Sequence, residues 1–309
     1  MNDQLTFSQA IQGYLLYAEA RRLSPHTIAD YQNTFRKFAR FLGDDPALRT
    51  ISSGVIRQFM AAQTTVSKKT VLNYHTGLSA LWTWAYQERL VVENIVRLVE
   101  RPRPEKREIV PFTQDDIRAL LANLEKTNLY SRPGKRPSAH SLPCAPRNRA
   151  IILLLLDTGI RSSELTDLTY GQLDMKNSRV SVFGKGAKQR SVPFSPRTGQ
   201  ALWRYTTGRP DPLPSDNVFL TEDGDPLVRD RLYKLLRTIG RRANVQAVHP
   251  HRFRHTFAIN YLRNGGDPWS LQRMLGHETM EMVSKYLFIA QSDLDASHRR
   301  ASPVDHWRL

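Results

Sequence analysis

The segment RPRPEKRE, residues 101–108, constrains this chain more than any other stretch. Two prolines stop any helix that reaches them, and an unbroken polar run resists burial. The segment therefore reads as a basic linker between two domains, residues 1–100 and residues 109–309. At 309 residues the chain is long enough for two domains of ordinary size.

The first hundred residues carry only helical signals. Thr6 and Gln9 have capping-box spacing, and Ile11, Leu15 and Ala18 recur at helical intervals behind them. Ser24-Pro25 opens a second helix, with Ile28, Tyr31, Phe35, Phe38 and Leu42 as its apolar stripe and Gly43 as its stop. A shorter helix is expected over about 55–62. Ser67 then caps a long one, with Val71, Tyr74, Leu78, Leu81 and Ala85 facing inward and Lys68, Lys69 and His75 on the polar side. A last short helix spans about 93–99. The aromatic stripe reads as core, and no catalytic grouping falls in this half.

The second part is mixed. Thr113 caps a helix reaching about residue 126, and residues 127–146, rich in Pro, Ser and basic side chains, read as a long surface loop. Residues 147–157 are apolar almost all round, which implies a buried helix. Between Tyr170 and Phe194 the period switches to two, and Gly184-Lys185-Gly186-Ala187-Lys188 makes the turn of a hairpin. Helices follow at about 196–205 and 228–243, with a short strand at 218–220 between them. Another helix starts after Pro250, a further one bears Tyr286, and the tail holds one more helix and an extended end. The fold class is mainly α with a small antiparallel β-sheet or hairpin (α+β).

Forty-five Lys and Arg against 29 Asp and Glu give a formal charge of +16, which suits a polyanionic partner, nucleic acid above all. Cys144 is the sole cysteine, so no internal disulfide is available. No apolar run approaches the roughly 20 residues that span a bilayer, and the N-terminus lacks the pattern of a signal peptide. A cytoplasmic, nucleoid-associated protein is the consistent expectation, with no membrane partner.

The chemistry concentrates between His249 and Tyr286. His251, Arg254 and His255 stand at HxxRH spacing, Leu275-Gly276-His277 forms a turn, and Tyr286 follows nine residues later. Ninety residues upstream, Arg161 follows Thr158-Gly159-Ile160, with Glu164 three positions on. An arginine fork grips two phosphate oxygens, a histidine moves a proton, and a tyrosine hydroxyl can attack phosphorus. The set suits a phosphodiester. A zinc cluster of His249, His251, His255 and His277 is disfavoured, because cysteine and carboxylate partners at ligand spacing are missing. No metal or cofactor is expected.

Arg161, Lys185, His251, Arg254, His277 and Tyr286 match in order and spacing the Arg-Lys-His-Arg-His-Tyr set of the tyrosine recombinases, or phage integrases. The chain resembles that family from about residue 6 to its end. With the first helix beginning there, no room is left for an extra arm-type domain, and the resemblance is to a short Xer-like or simple integrase. It implies a helical core-binding (SAM-like) DNA-binding domain and a catalytic domain. It also implies a 3′-phosphotyrosyl intermediate formed by Tyr286, and two rounds of exchange through a Holliday junction. Arg161 and Arg254 would bind the scissile phosphate, with Glu164 buttressing Arg161. Lys185 would protonate the leaving oxygen, His251 would manage the nucleophile's proton or support the phosphate, and His277 would bond a phosphate oxygen. His255 reads as structural.

Lys68, Lys69, Lys188, Arg190, Arg229, Arg231, Arg241 and Arg242 are the expected DNA contacts around that centre. The C-terminal tail, by the resemblance, packs on a neighbouring subunit in a homotetramer on two DNA sites, with a directionality factor or second recombinase as further partners. Two rival readings exist: strand relaxation like that of type IB topoisomerases, and a non-catalytic architectural DNA-binding protein. The helical first half and the Gly-Lys-Gly hairpin favour recombination.

Overall fold

The computed structural model describes residues 5–104, 108–125, 142–184, 189–209 and 211–290, and in the tail residues 298, 302, 304 and 307. The chain divides into two compact units, Met1–Glu108 and Ile109–Leu309.

The first unit packs four helices: α1 (Phe7–Ala20), α2 (Pro25–Leu42), α3 (Ser53–Ala61) and α4 (Lys68–Gln87). Local chemistry sets their ends. Thr6 and Gln9 make the reciprocal capping box, Ser24 and Ser67 each accept a backbone N–H three residues on, and Gly43 ends α2 at φ +80°. Aromatic rings fill the core, with Phe38 edge-on to Phe7 at 5.3 Å and to Phe59 at 5.0 Å. Three details depart from the sequence reading. The face that α1 buries is Phe7, Ala10, Tyr14 and Ala18, while Ile11 and Leu15 sit at its edge. His75 is turned inward, where its Nε2 bonds the Val99 carbonyl at 3.2 Å. The short helix near residue 95 is a single 3-10 turn, Ile95–Leu98.

The second unit contains α5 (Gln114–Ala122), α6 (Ala145–Thr158), α7 (Ser162–Thr166), α8 (Pro196–Thr206), α9 (Arg229–Arg242), α10 (Pro250–Arg263), α11 (Pro268–Leu275) and α12 (Glu281–Ala290). Its sheet has three antiparallel strands in the order β1 (Leu173–Asp174), β2 (Arg179–Phe183) and β3 (Gln189–Pro193). Val180 pairs with Val192, and Val182 pairs with Arg190. The mainly helical architecture with a small antiparallel sheet is the one the sequence predicts. Residues 218–220 do not form the expected strand. Leu220 makes only an isolated bridge to Pro226, and Asn217 another to Thr169. The apolar α6 is the buried hub and packs against α8 and α10, as its composition requires. It starts at Ala145, so the end of the expected loop is helical, and residues 126–141 lie outside the described residues. Among the described residues no helix is long and apolar enough to cross a membrane.

Gly159 ends α6 at φ +60°, in the left-handed region, two residues before Arg161. A Cβ there would lie 2.5 Å from Phe257 Cδ1 and 2.9 Å from Leu275 Cδ2. Both the conformation and the packing forbid a side chain. Gly159→Ala should therefore cost about 2 kcal/mol or more, measured by denaturant unfolding followed by circular dichroism.

Candidate active site

The C-terminal end of α11 is where the functional side chains meet. A helix end leaves carbonyls without intrahelical partners. Here three consecutive ones accept from three different arginines. Met274 O accepts Arg190 Nε at 2.7 Å, Leu275 O accepts Arg254 Nη2 at 2.8 Å, and Gly276 O accepts Arg161 Nη2 at 3.0 Å. Gly276, at φ +64°, turns the chain so that its own carbonyl can join the row. The negative end of the helix dipole adds to the attraction for cations.

Glu164 ties two of these arginines together from the other side. Its carboxylate takes both prongs of the Arg190 fork at 2.7 Å, Arg161 Nη1 at 2.8 Å, and the Arg161 backbone N–H at 2.7 Å. The last bond also caps the first turn of α7. Burial pushes the Glu164 carboxyl up, but the hydrogen bonds from Arg190 and Arg161 outweigh it and hold the group below the usual carboxylate range. Arg190 was expected at the DNA backbone, and the structure corrects this. Its guanidinium points inward and bonds Glu164 and Met274. The reason lies in the strand period. Arg190 shares a face with buried Val192 and pairs with buried Val182.

Arg161 and Arg254 retain donors. Arg161 commits two of its five N–H groups and stays about one-third exposed (35%) on a cleft of about 600 Å³. That cleft is lined among others by Arg161, Arg190, Arg273, His277 and Met282. Arg254 is deeper. Its Nη1 bonds Gly159 O at 2.8 Å and its Nη2 also lies 2.8 Å from His277 Nε2. Burial, then the charge of Arg161, pushes Arg254 down to about 10, so it remains cationic at neutral pH. Because Arg254 can only donate, His277 Nε2 must accept, and the ring hydrogen sits on Nδ1. That atom is buried with no hydrogen-bond partner. Burial and the three arginines push His277 down to about 4, which keeps the ring neutral.

Tyr286 comes in on α12, 3% exposed, with its ring stacked on His277 at 6.2 Å. Burial raises its hydroxyl above the ordinary tyrosine range against the opposing charge of Arg254. The hydroxyl lies 2.8 Å from His255 Nδ1, so the residue that sequence reading had set aside as structural is in direct contact with this tyrosine. His255 follows His251 by one helical turn, and that spacing was the available signal. His251 itself is exposed at the start of α10, near Arg254, Arg229 and Arg161. His249 caps α10 through Nδ1. Among the described residues no group of three or more His, Cys, Asp or Glu could hold a metal ion.

Six of the seven expected site residues, all but Lys185, are thus accounted for by position. Arg161, Glu164, Arg254, His277 and Tyr286 converge, and His251 stands at the rim. Lys185 and Lys188 lie outside the described residues. Of the remaining expected contacts, Lys68 and Lys69 are exposed in the first turn of α4, Arg229, Arg231 and Arg241 are exposed on α9, and Arg242 is half-buried there.

Residues 111–292 match the Phage integrase family, and residues 11–65 match the phage integrase N-terminal SAM-like domain. Among curated relatives, a tyrosine recombinase XerC of Lactobacillus leichmannii is 30% identical, over 97% of this chain and 99% of its own length. One from Staphylococcus saprophyticus is 29% identical over 94% of this chain and 95% of its own. Among solved structures, the Tn1549 transposon integrase in complex with a circular intermediate DNA superposes with a TM-score of 0.73 at 20% identity, covering 97% of this chain and 99% of that one. A lambda integrase dimer bound to a core site gives 0.73 at 16% identity, over 95% and 80% of the two chains. At such identities the structural likeness speaks for the fold.

Arg190→Met leaves Glu164 buried with one arginine where it had two. Stability should fall by about 3 kcal/mol, as when one partner of a buried ion pair is removed. Glu164 has a depressed folded-state value, so the stability it contributes is present above about pH 4.3, the unfolded glutamate value, and is lost as pH falls through the lower folded one. The difference between wild type and variant should therefore shrink in acid, which urea unfolding at a series of pH values will measure.

Proposed function

The chain belongs to the phage integrase family, the tyrosine recombinases, and from that premise we propose that it is a site-specific DNA recombinase acting through a 3′-phosphotyrosyl intermediate. One observation carries the reading at residue level. Two arginines with donors to spare are held side by side on the carbonyls of one helix end, next to a buried tyrosine.

Tyr286 is the nucleophile. Its oxygen attacks the scissile phosphorus and the 5′-oxygen of the next nucleotide departs. Arg161 and Arg254 stabilise the charge that builds on the non-bridging oxygens, and they do so without reorganising, since backbone carbonyls and Glu164 have already fixed them. Lys185 donates the proton to the departing oxygen, a role that rests on the family resemblance. The strand's bond energy is kept in the phosphotyrosyl ester, so a free 5′-hydroxyl from a partner strand can reverse the step. Two such rounds exchange both strands through a Holliday junction.

The first unit serves as the core-binding domain, with Lys68 and Lys69 on the DNA backbone. Arg229, Arg231, Arg241 and Arg242 serve the same purpose on α9, and all of them lie on helix surfaces that carry no catalytic group. The active assembly is a homotetramer on two DNA sites, joined through the C-terminal tails. Its work in the cytoplasm is the integration and excision of a mobile element or the resolution of chromosome dimers, with a directionality factor or second recombinase as accessory.

The test uses nicked duplexes tiled across the DNA flanking the gene, scored for a protein–DNA adduct that survives denaturation. Wild type should form it. Tyr286→Phe should bind the same duplexes with unchanged affinity and form none. Arg161→Ala should form it about 10² to 10³ times more slowly. Equal adduct from wild type and Tyr286→Phe would overturn the assignment of the nucleophile.

A further inference from the structure

The family resemblance hands the nucleophile's proton to His251. In this structure a different histidine is on that oxygen. His255 Nδ1 lies 2.8 Å from Tyr286 Oη, and the two rings lie 5.6 Å apart. His251, one turn earlier on α10, is exposed, and the charges bearing on it are those of Arg254, Arg229 and Arg161.

The surroundings of His255 suit a proton acceptor. The groups facing it are His249, His251 and Arg254 on α10, Tyr286 on α12, and His277 from the turn between α11 and α12. None is acidic, so nothing holds the imidazole in its charged form. Burial, then the neighbouring His251 and His249, push it down to about 4, which leaves a lone pair on a ring nitrogen at neutral pH. Tyr286, buried and shifted the other way, does not ionise in advance. Its proton must leave as the new bond forms, and it must leave to an atom already within hydrogen-bond reach. One turn of α10 thus supplies from adjacent positions a phosphate ligand, Arg254, and a partner for the attacking oxygen, His255.

We propose that His255, rather than His251, is the catalytic residue that accepts the proton of Tyr286, an inference that rests on Tyr286 being the nucleophile. In the forward step the Tyr286 Oη–phosphorus bond forms, the phosphorus–O5′ bond breaks, and the hydroxyl proton passes to His255 Nδ1 of the Nε2–H tautomer. The departing oxygen takes its proton from a separate donor, the part given above to Lys185. On religation the proton returns from His255 to Oη as the phosphotyrosyl bond breaks.

Two variants test this on the nicked duplex that gives most wild-type adduct. His255→Ala removes the acceptor. His255→Asn puts an amide where Nδ1 stood, able to accept a hydrogen bond but not to take a proton. Both should bind the duplex as wild type does and form adduct about 10² times more slowly or worse. Added imidazole should speed the Ala variant, more so as pH rises and imidazole loses its proton. An Asn variant within a few-fold of wild type would reduce His255 to positioning and overturn the proposal. An Ala variant indifferent to imidazole would also overturn it. Absence of adduct from wild type itself would instead overturn the reading of Tyr286, and the proposal with it.

Discussion

Everything in the catalytic unit turns on the exposed carbonyls at the end of α11. A helix terminus must find donors for its last carbonyls, and elsewhere water or a glycine motif commonly supplies them. Here Arg190, Arg254 and Arg161 supply them in succession, from β3, α10 and the turn before α7. Three elements distant in sequence are thereby fixed to one point. The obligatory backbone bond is converted into a device for holding guanidinium groups at set positions. The Gly159 and Gly276 turns, both left-handed, are the conformational condition for it.

Charge explains why one carboxylate belongs in this cluster. Three guanidinium groups gathered within one cleft repel each other in a medium that screens poorly. Glu164 offsets part of that repulsion while leaving an excess of positive charge for an anionic ligand. It takes the full fork of Arg190 but only one prong of Arg161. Arg190 is thus held by both prongs as a structural cation, and Arg161 is steadied with three donors still free. The same pairing anchors β3 to the helix that carries Glu164.

The sequence revealed much of this and missed specific parts. Helix caps were legible because each is a local contract: Thr6 with Gln9, Ser24 with Thr27, Ser67 with Thr70. Arg161, Glu164, Arg254, His277 and Tyr286 could be gathered because motif spacing records contacts that one chain cannot show by periodicity alone. Arg190 was misread because an arginine beside a lysine-rich tip resembles a surface charge, although its register with Val192 already turned it inward. His255 was passed over because an i+4 histidine on a half-buried helix has many ordinary uses, and only the approach of α12 gives it a partner. His75 failed for a similar reason, since its acceptor, the Val99 carbonyl, lies 24 residues away.

The centre has a firm part and a loosely held part. The arginines are fixed by several charge-assisted bonds each, to backbone and to Glu164, and such groups are expensive to displace. His277 and Tyr286 are held otherwise. His277 has one bond, from Arg254, and a buried Nδ1 that goes unsatisfied, a deficit on the order of 1–3 kcal/mol. Tyr286 has one side-chain bond, to His255, and is almost wholly buried. The two rings are therefore held by one side-chain hydrogen bond each and by their mutual stacking.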